Sequence, residues 1–299
     1  MAAKAEQTVT VAGHRLKLTN LEKVLYPATG TTKADVLEYY LGIAEYLLPY
    51  AAGRPVTRKR WVDGVAHPPF FQKNIERFAP DWVPTRIMHH KDHDNWYPVL
   101  DAETGVATLG WFAQVAALEL HVPQWRFAPD GTPGHPDRMV FDLDPGEGTG
   151  LAECVQVAKL IRDRLGAEGF VTVPVTSGGK GIHVYAALDG SRTSDEANEF
   201  AHELARALEE EHPALVVSTI RKADRRGKVL IDWSQNNASK TTITPYSLRG
   251  RTRPTVAMPR TWGEITSGRL RQIEFDEVLP MLRRRGDAAE ALRPAQPPL

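Results

Sequence analysis

The sequence predicts a mixed α/β fold, and three observations carry that prediction. First, strand patterning at 138–144 is followed by a helix pattern at 150–165 and by strand patterns at 170–176 and 182–188. Second, two further stretches read as helices, a strongly apolar one at 106–120 and a capped one from Thr193 to about Glu211. Third, the composition is that of an ordinary globular chain, 42% hydrophobic and 25% charged over 299 residues, long enough for a large core. We expect one domain over 1–290 and a Pro-rich tail or linker over 291–299.

In chain order, 8–18 alternate around a Gly-His turn and read as a hairpin. Thr32 with Asp35 resembles a capping pair for a helix running to about Tyr50, with Val36, Tyr39, Tyr40, Ile43 and Leu47 as its apolar stripe. Lys33 sits at that helix's start, where a cation opposes the helix dipole; it either serves a bound anion or is a solvated surface lysine. Thr57-Arg58-Lys59-Arg60-Trp61 sets three cations beside an indole, and Phe70 and Phe71 follow a Gly turn. Aromatics interleaved with cations suit stacking on bases, while core packing is the plainer reading.

Residues 84–97, with His89, His90 and His93, read as an exposed loop. Neither flanking cysteines nor a helical His pair supports zinc there. The 106–120 helix delivers His121, and Pro123 stops it.

In the strand from Arg138, the aspartates Asp142 and Asp144 alternate with Phe141 and Leu143, so both project from one face. Two carboxylates at this spacing suit one or two hard divalent cations that leave positions for substrate phosphates. Ser177-Gly178-Gly179-Lys180-Gly181 joins two strands and is not a Walker loop. Its glycines let backbone N–H groups converge on phosphate oxygens, Ser177 adds a donor and Lys180 a charge; a glycine-rich hairpin turn is the bland alternative. His183 and Tyr185 share a strand face.

Strands at 216–220 and 229–233 flank Arg221, Lys222, Arg225, Arg226 and Lys228, a basic hairpin tip able to grip a nucleic-acid backbone. Asp232 enters an apolar strand, where it needs a partner or a metal. Arg249 and Arg251 flank Gly250 and suit bidentate phosphate binding.

The formal charges balance at 37 each, so any basic footprint is local. The single cysteine, Cys154, forms no intramolecular disulfide and fits a reducing compartment. No stretch approaches the ~18 apolar residues of a membrane span, and the N-terminus lacks a signal core, so we expect a cytoplasmic protein.

Taken together, Asp142-Leu143-Asp144-Pro145-Gly146, Ser177 through His183, Val229 through Asn236 and Pro245 through Arg251 resemble motifs of the archaeo-eukaryotic primase superfamily. More closely, the chain resembles the polymerase domain of bacterial ATP-dependent DNA ligase D, or a free-standing primase-polymerase of the mycobacterial type, from Leu18 onward. The resemblance implies a primase-polymerase fold, an α+β arrangement of mixed and antiparallel sheets flanked by helices. It implies template-directed extension of DNA with nucleoside triphosphates, often ribonucleotides, using two Mn²⁺ or Mg²⁺ ions.

By motif, Asp142, Asp144 and Asp232 are the implied metal carboxylates. His121, Ser177, Lys180, His183 and Arg249 form the implied triphosphate pocket. Lys23 and Lys33 match lysines that hold a 5′-phosphate at a gap or break, and Phe70 and Phe71 match an aromatic pair near the template. Lys59, Arg60, Arg221, Lys222, Arg225, Arg226 and Arg251 complete the implied DNA contacts. The implied setting is non-homologous end joining in a bacterial nucleoid, alongside a fused or separate ligase and an end-binding repair protein. Excision-gap filling by a free-standing enzyme, a metal-dependent phosphoesterase and a catalytically silent end-binding module are the competing readings.

Overall fold

A computed structural model describes residues 6–293. The predicted tail therefore lies largely outside the described residues, although Leu292 still reaches the core.

A six-stranded sheet organises the molecule, in the order Val216–Val217, Val229–Asp232, Arg138–Pro145, Ile182–Ala187, Thr172–Thr176, Met258–Pro259. Its neighbours pair antiparallel, except that Val216–Val217 runs parallel to Val229–Asp232. Period-two alternation gives this sheet two different faces. Met139, Phe141 and Leu143 pack with Cys154, Val157 and Ile161 of the Leu151–Ala167 helix and with Ala201 and Leu204 of the Ser194–Glu211 helix. Val140, Val175 and Tyr185 instead join a larger core that includes Tyr40, Leu118 and Tyr246. Asp142 and Asp144, in step with Val140, fall on this second face.

A four-stranded antiparallel sheet contributes to the same core, in the order Thr242–Ile243, Ala117–Val122, Thr57–Arg60, Phe70–Gln72. A polar link joins the two sheets, the Tyr185 hydroxyl donating to the Ile243 carbonyl at 3.2 Å. Beside the larger sheet, Asn236 of the 3₁₀ turn Trp233–Asn236 bridges the N–H and C=O of Val140 at 2.8 Å each.

The helix expected from Thr32 is capped as read, with Thr32 and Asp35 satisfying each other's backbone N–H groups. It is two helices, Lys33–Gly42 and Ala44–Ala51, rather than one. Gly42, a weak helix former, ends the first helix, and Ile43, fully buried, takes the bend between them.

The 106–120 expectation also needs correction. The helix is Gly105–Gln114; Ala116 turns the chain with φ +58, and Ala117–Val122 is a central strand. Because both halves are buried all round, periodicity could not separate a buried helix from a buried strand. His121 therefore lies on a strand, and Pro123 ends that strand instead of a helix.

The 84–97 loop is a hairpin, Thr85–His89 against Asp94–Pro98, with His90 and His93 stacked at its tip at 4.8 Å. Its mostly exposed, polar side chains hide the strand signal. The basic 221–228 segment is no hairpin tip. Its flanking strands are parallel, so it is a crossover containing a 3₁₀ turn at Lys222–Arg225. The hairpin at Glu6–Val11 and His14–Thr19 and the helix capped by Thr193 and Glu196 form as predicted.

Candidate active site and anion cavity

Backbone register brings the carboxylates together. On the Arg138–Pro145 strand, Asp142 faces His183 on one neighbour and Asp232 on the other, and Asp144 lies two residues further on. His183 Nε2 stands 3.3 Å from Asp142 Oδ1, while its Nδ1 is buried without a hydrogen-bond partner among the described residues. Burial works against the Asp142 carboxylate, but His183 and then Arg249 outweigh it and hold Asp142 below its ordinary range. Asp144 goes the other way. The Asp142 charge, with burial and Asp232 adding to it, pushes Asp144 up to about 6. Proximity of like charges is the leading cause, and a cation between these groups would relieve it.

Asp232 has the partners its apolar strand demands. Ser234 Oγ donates to Oδ1 at 2.5 Å and Gln235 Nε2 to Oδ2 at 2.8 Å, while Lys240 Nζ donates to Ser234 Oγ. Among the described residues no three acidic, imidazole or thiol groups already converge on one ion position. The donor set still suits hard cations: oxygen ligands on adjoining strands with mutually repelling charge.

The Ser177–Gly181 loop sits directly on this strand. A Cβ on Gly181 would lie 1.8 Å from the Leu143 carbonyl oxygen, so only glycine permits the approach. Ser177 Oγ accepts from the N–H groups of Gly179 and Gly181 at 3.2 Å each and shapes its own loop. Gln272 closes it from outside, accepting from Gly178 N at 2.7 Å and donating to the Gly181 carbonyl at 3.2 Å. Lys180 is exposed. Arg249 and Arg251 both reach the loop, since a Cβ built on Gly179 would meet their Nη2 atoms at 3.8 and 3.3 Å. Arg251 is thus beside the glycine loop.

Sequence reasoning missed Glu119. Its carboxylate is 2% exposed, accepts from Gly250 N at 3.0 Å and lies 3.4 Å from Arg249 Nε and 2.9 Å from His121 Nε2. The Arg249 Nε–H is not aligned for a hydrogen bond at that distance. Burial alone would raise this carboxyl, but His121, Arg249 and Lys59 bring it down to about 2. Burial also pushes His121 down against the pull of Glu119, so at neutral pH the imidazole is a neutral donor and Arg249 supplies the facing charge. A lone acid inside an otherwise apolar run was the available signal. Phe71, 61% exposed, packs its ring 5.9 Å from His121, and Phe70 is 45% exposed. Lys59 Nζ lies 5.0 Å from the Trp61 ring and 5.2 Å from Phe71.

The upstream lysines form a separate site. Lys23, Lys33 and Arg60 line one cavity of 210 Å³, with Thr19, Asn20 and Phe78. Lys23 pairs with Asp63 at 2.8 Å, and Lys33 Nζ donates to the Thr19 carbonyl at 2.7 Å. Lys33 is buried, not the solvated lysine of the bland reading. Burial first, then Lys23 and Arg60, lower it to about 8. Arg60, expected from the sequence as a DNA contact, is 8% exposed and bound to Val115 O and Glu76.

The basic crossover is anchored beside the aspartates. Gly146 N donates to Lys228 O, Gly227 N to Glu147 O, and Arg225 Nη2 to Ile220 O. Arg221, Lys222 and Arg226 are exposed, with Arg221 3.4 Å from Asp224.

Residues 32–289 match the family model of the LigD primase-polymerase domain. The chain is 52% identical over 297 residues to a multifunctional non-homologous end joining DNA repair protein of Mycobacterium tuberculosis, covering 98% of this chain and 38% of that protein. A bifunctional non-homologous end joining protein of Bacillus subtilis is 31% identical over 274 residues, 91% of this chain and 43% of that one. The chain thus spans well under half the length of these relatives. Its fold superposes with TM-score 0.90 and 52% identity on a structure described as the polymerase domain from Mycobacterium tuberculosis ligase D in complex with DNA, covering 95% of this chain and 99% of that one.

Proposed function

The chain belongs to the LigD primase-polymerase domain family, a family of nucleotidyltransferases, and from that membership we propose its reaction. It extends primer 3′-ends on a DNA template at short gaps or breaks that carry a 5′-phosphate, adding nucleoside triphosphates with a preference for ribonucleotides. One observation carries the reading: mutually repelling carboxylates and a glycine loop reached by two guanidinium groups meet at one end of the six-stranded sheet's interior strands.

Asp142, Asp144 and Asp232 would hold two divalent cations. Bound there, such ions lower the pKa of the primer hydroxyl and neutralise the triphosphate and the leaving pyrophosphate. The chain's own residues do the positioning. Arg249 and Arg251 grip phosphate oxygens over Gly178–Lys180, with Glu119 fixing where Arg249 stands. His183 orients Asp142 from the neighbouring strand. Phe70 and Phe71 offer stacking faces to template bases, with Lys59 between them and the indole. The exposed cations of the 221–228 crossover meet backbone phosphate. Lys23, Lys33 and Arg60 receive the 5′-phosphate, and their convergence on one cavity supports this.

The setting we propose is non-homologous end joining in a bacterial nucleoid, in company with ligase and end-binding activities. The names of the relatives support the end-joining part of it. Among the described residues no helix is long and apolar enough to cross a membrane. Primer–template with a 5′-phosphorylated gap, divalent cation and NTPs or dNTPs in parallel tests the proposal. Extension is expected from the wild type and none from Asp142→Ala, with gapped-DNA binding retained. Hydrolysis without extension would replace the polymerase reading with a phosphoesterase.

A further inference from the structure

The tricationic cavity has an aromatic wall that the reaction as described leaves unused. Phe78 lines it with Lys23, Lys33 and Arg60, yet is 70% exposed, more than Phe70 or Phe71. With Val62 it forms an exposed apolar rim on a cavity whose lining includes the buried cations Lys33 and Arg60.

The turn carrying Phe78 is fixed to the cavity. Glu76, 8% exposed, holds Arg60 Nη1 at 2.8 Å and Arg58 Nη1 at 2.5 Å, and its carbonyl accepts from Ala79 N at 2.9 Å. Arg60 therefore sets both the floor of the cavity and the position of the ring. Val62, 43% exposed, also lines the cavity. Cations that take a phosphate, with an apolar ring facing solvent alongside, match the two ends of a terminal nucleotide.

We propose that Phe78 is a stacking platform for the base of the 5′-phosphorylated terminal nucleotide. Recognition of the downstream end is then bipartite, phosphate in the cavity and base on the ring. This rests on the reading that the cavity takes the 5′-phosphate. Base–aromatic stacking tolerates any base, so the platform adds affinity without sequence preference.

Anisotropy titrations of gapped duplexes test it, using four downstream ends: 5′-phosphate or 5′-hydroxyl, each with a normal or an abasic terminal nucleotide. Phe78→Ala is expected to weaken binding of the base-bearing end about tenfold and to leave the abasic end unchanged, with Phe78→Trp restoring affinity. The ratio of phosphate to hydroxyl affinity should persist in Phe78→Ala and vanish in Lys23→Glu. Equal effects of Phe78→Ala on base-bearing and abasic ends, or no effect on either, would overturn the platform even where the phosphate ratio stands. A wild type indifferent to the phosphate, yet losing affinity for the base-bearing end through Phe78→Ala, would remove the phosphate reading and keep the platform.

Discussion

Glu119→Gln isolates the buried carboxylate that links His121, Arg249 and Gly250. The substitution keeps the shape but removes the charge, leaving the Arg249 guanidinium, 15% exposed in its side chain, without its facing anion. Depression of the carboxyl from 4.5 to about 2 sets the scale. That difference corresponds to at most about 3 kcal/mol of folded-state stabilisation. Part of it requires a charged His121, which burial disfavours, so the expected loss at neutral pH is about 2 kcal/mol.

The sign follows from the direction of the shift. A carboxyl depressed on folding contributes fully above its unfolded value near 4.5, and the contribution fades as pH falls through about 2. Urea denaturation should therefore show the mutant less stable at neutral pH and the gap closing in acid. Kinetically, a displaced Arg249 should raise KM for the nucleotide about tenfold, since one charge-assisted contact is worth roughly 1.5–3 kcal/mol. A mutant with unchanged midpoint and unchanged KM would show that Glu119 positions nothing.

Two further outcomes follow from the same geometry. Gly181→Ala forces a methyl group against the Leu143 carbonyl and should cost about 1–3 kcal/mol, read as a lower Tm and a higher nucleotide KM. Gly166→Ala, a helical position with open space, is the control and should be neutral or slightly stabilising. With Lys33 lowered to about 8, raising pH through that value removes one of the cavity's cations. The preference for 5′-phosphate over 5′-hydroxyl ends should decline between about pH 7 and 9, as measured by competition binding, and Lys33→Ala should flatten that profile. A wild-type preference constant across the range counts against Lys33 as a phosphate ligand.

Local chemistry made much of the site legible in the sequence. Asp142 and Asp144 had to share a face because strand side chains alternate, and the glycines at 178, 179 and 181 had to permit a close backbone approach. The Thr32–Asp35 and Thr193–Glu196 caps are contiguous in sequence and formed as read. Where sequence reasoning went astray, the deciding contact was distant. Ala117–Val122 became a strand because Thr57–Arg60 and Thr242–Ile243 pair with it on either side, and an apolar run carries no record of those neighbours. The 221–228 segment became a crossover because Val216–Val217 chose the parallel register.

Electrostatic detail needed tertiary structure for the same reason. A sequence places Asp142 two residues from Asp144, but the burial that helps push Asp144 up to about 6 and that chiefly lowers Lys33 to about 8, with Asp232 adding to the one and Lys23 and Arg60 to the other, arises only when the chain folds. Composition and alternation determined which chemical groups this protein owns and which strand faces present them. Folding alone decided which of them meet, because charge pairs and close approaches act through distances in space that chain order does not encode.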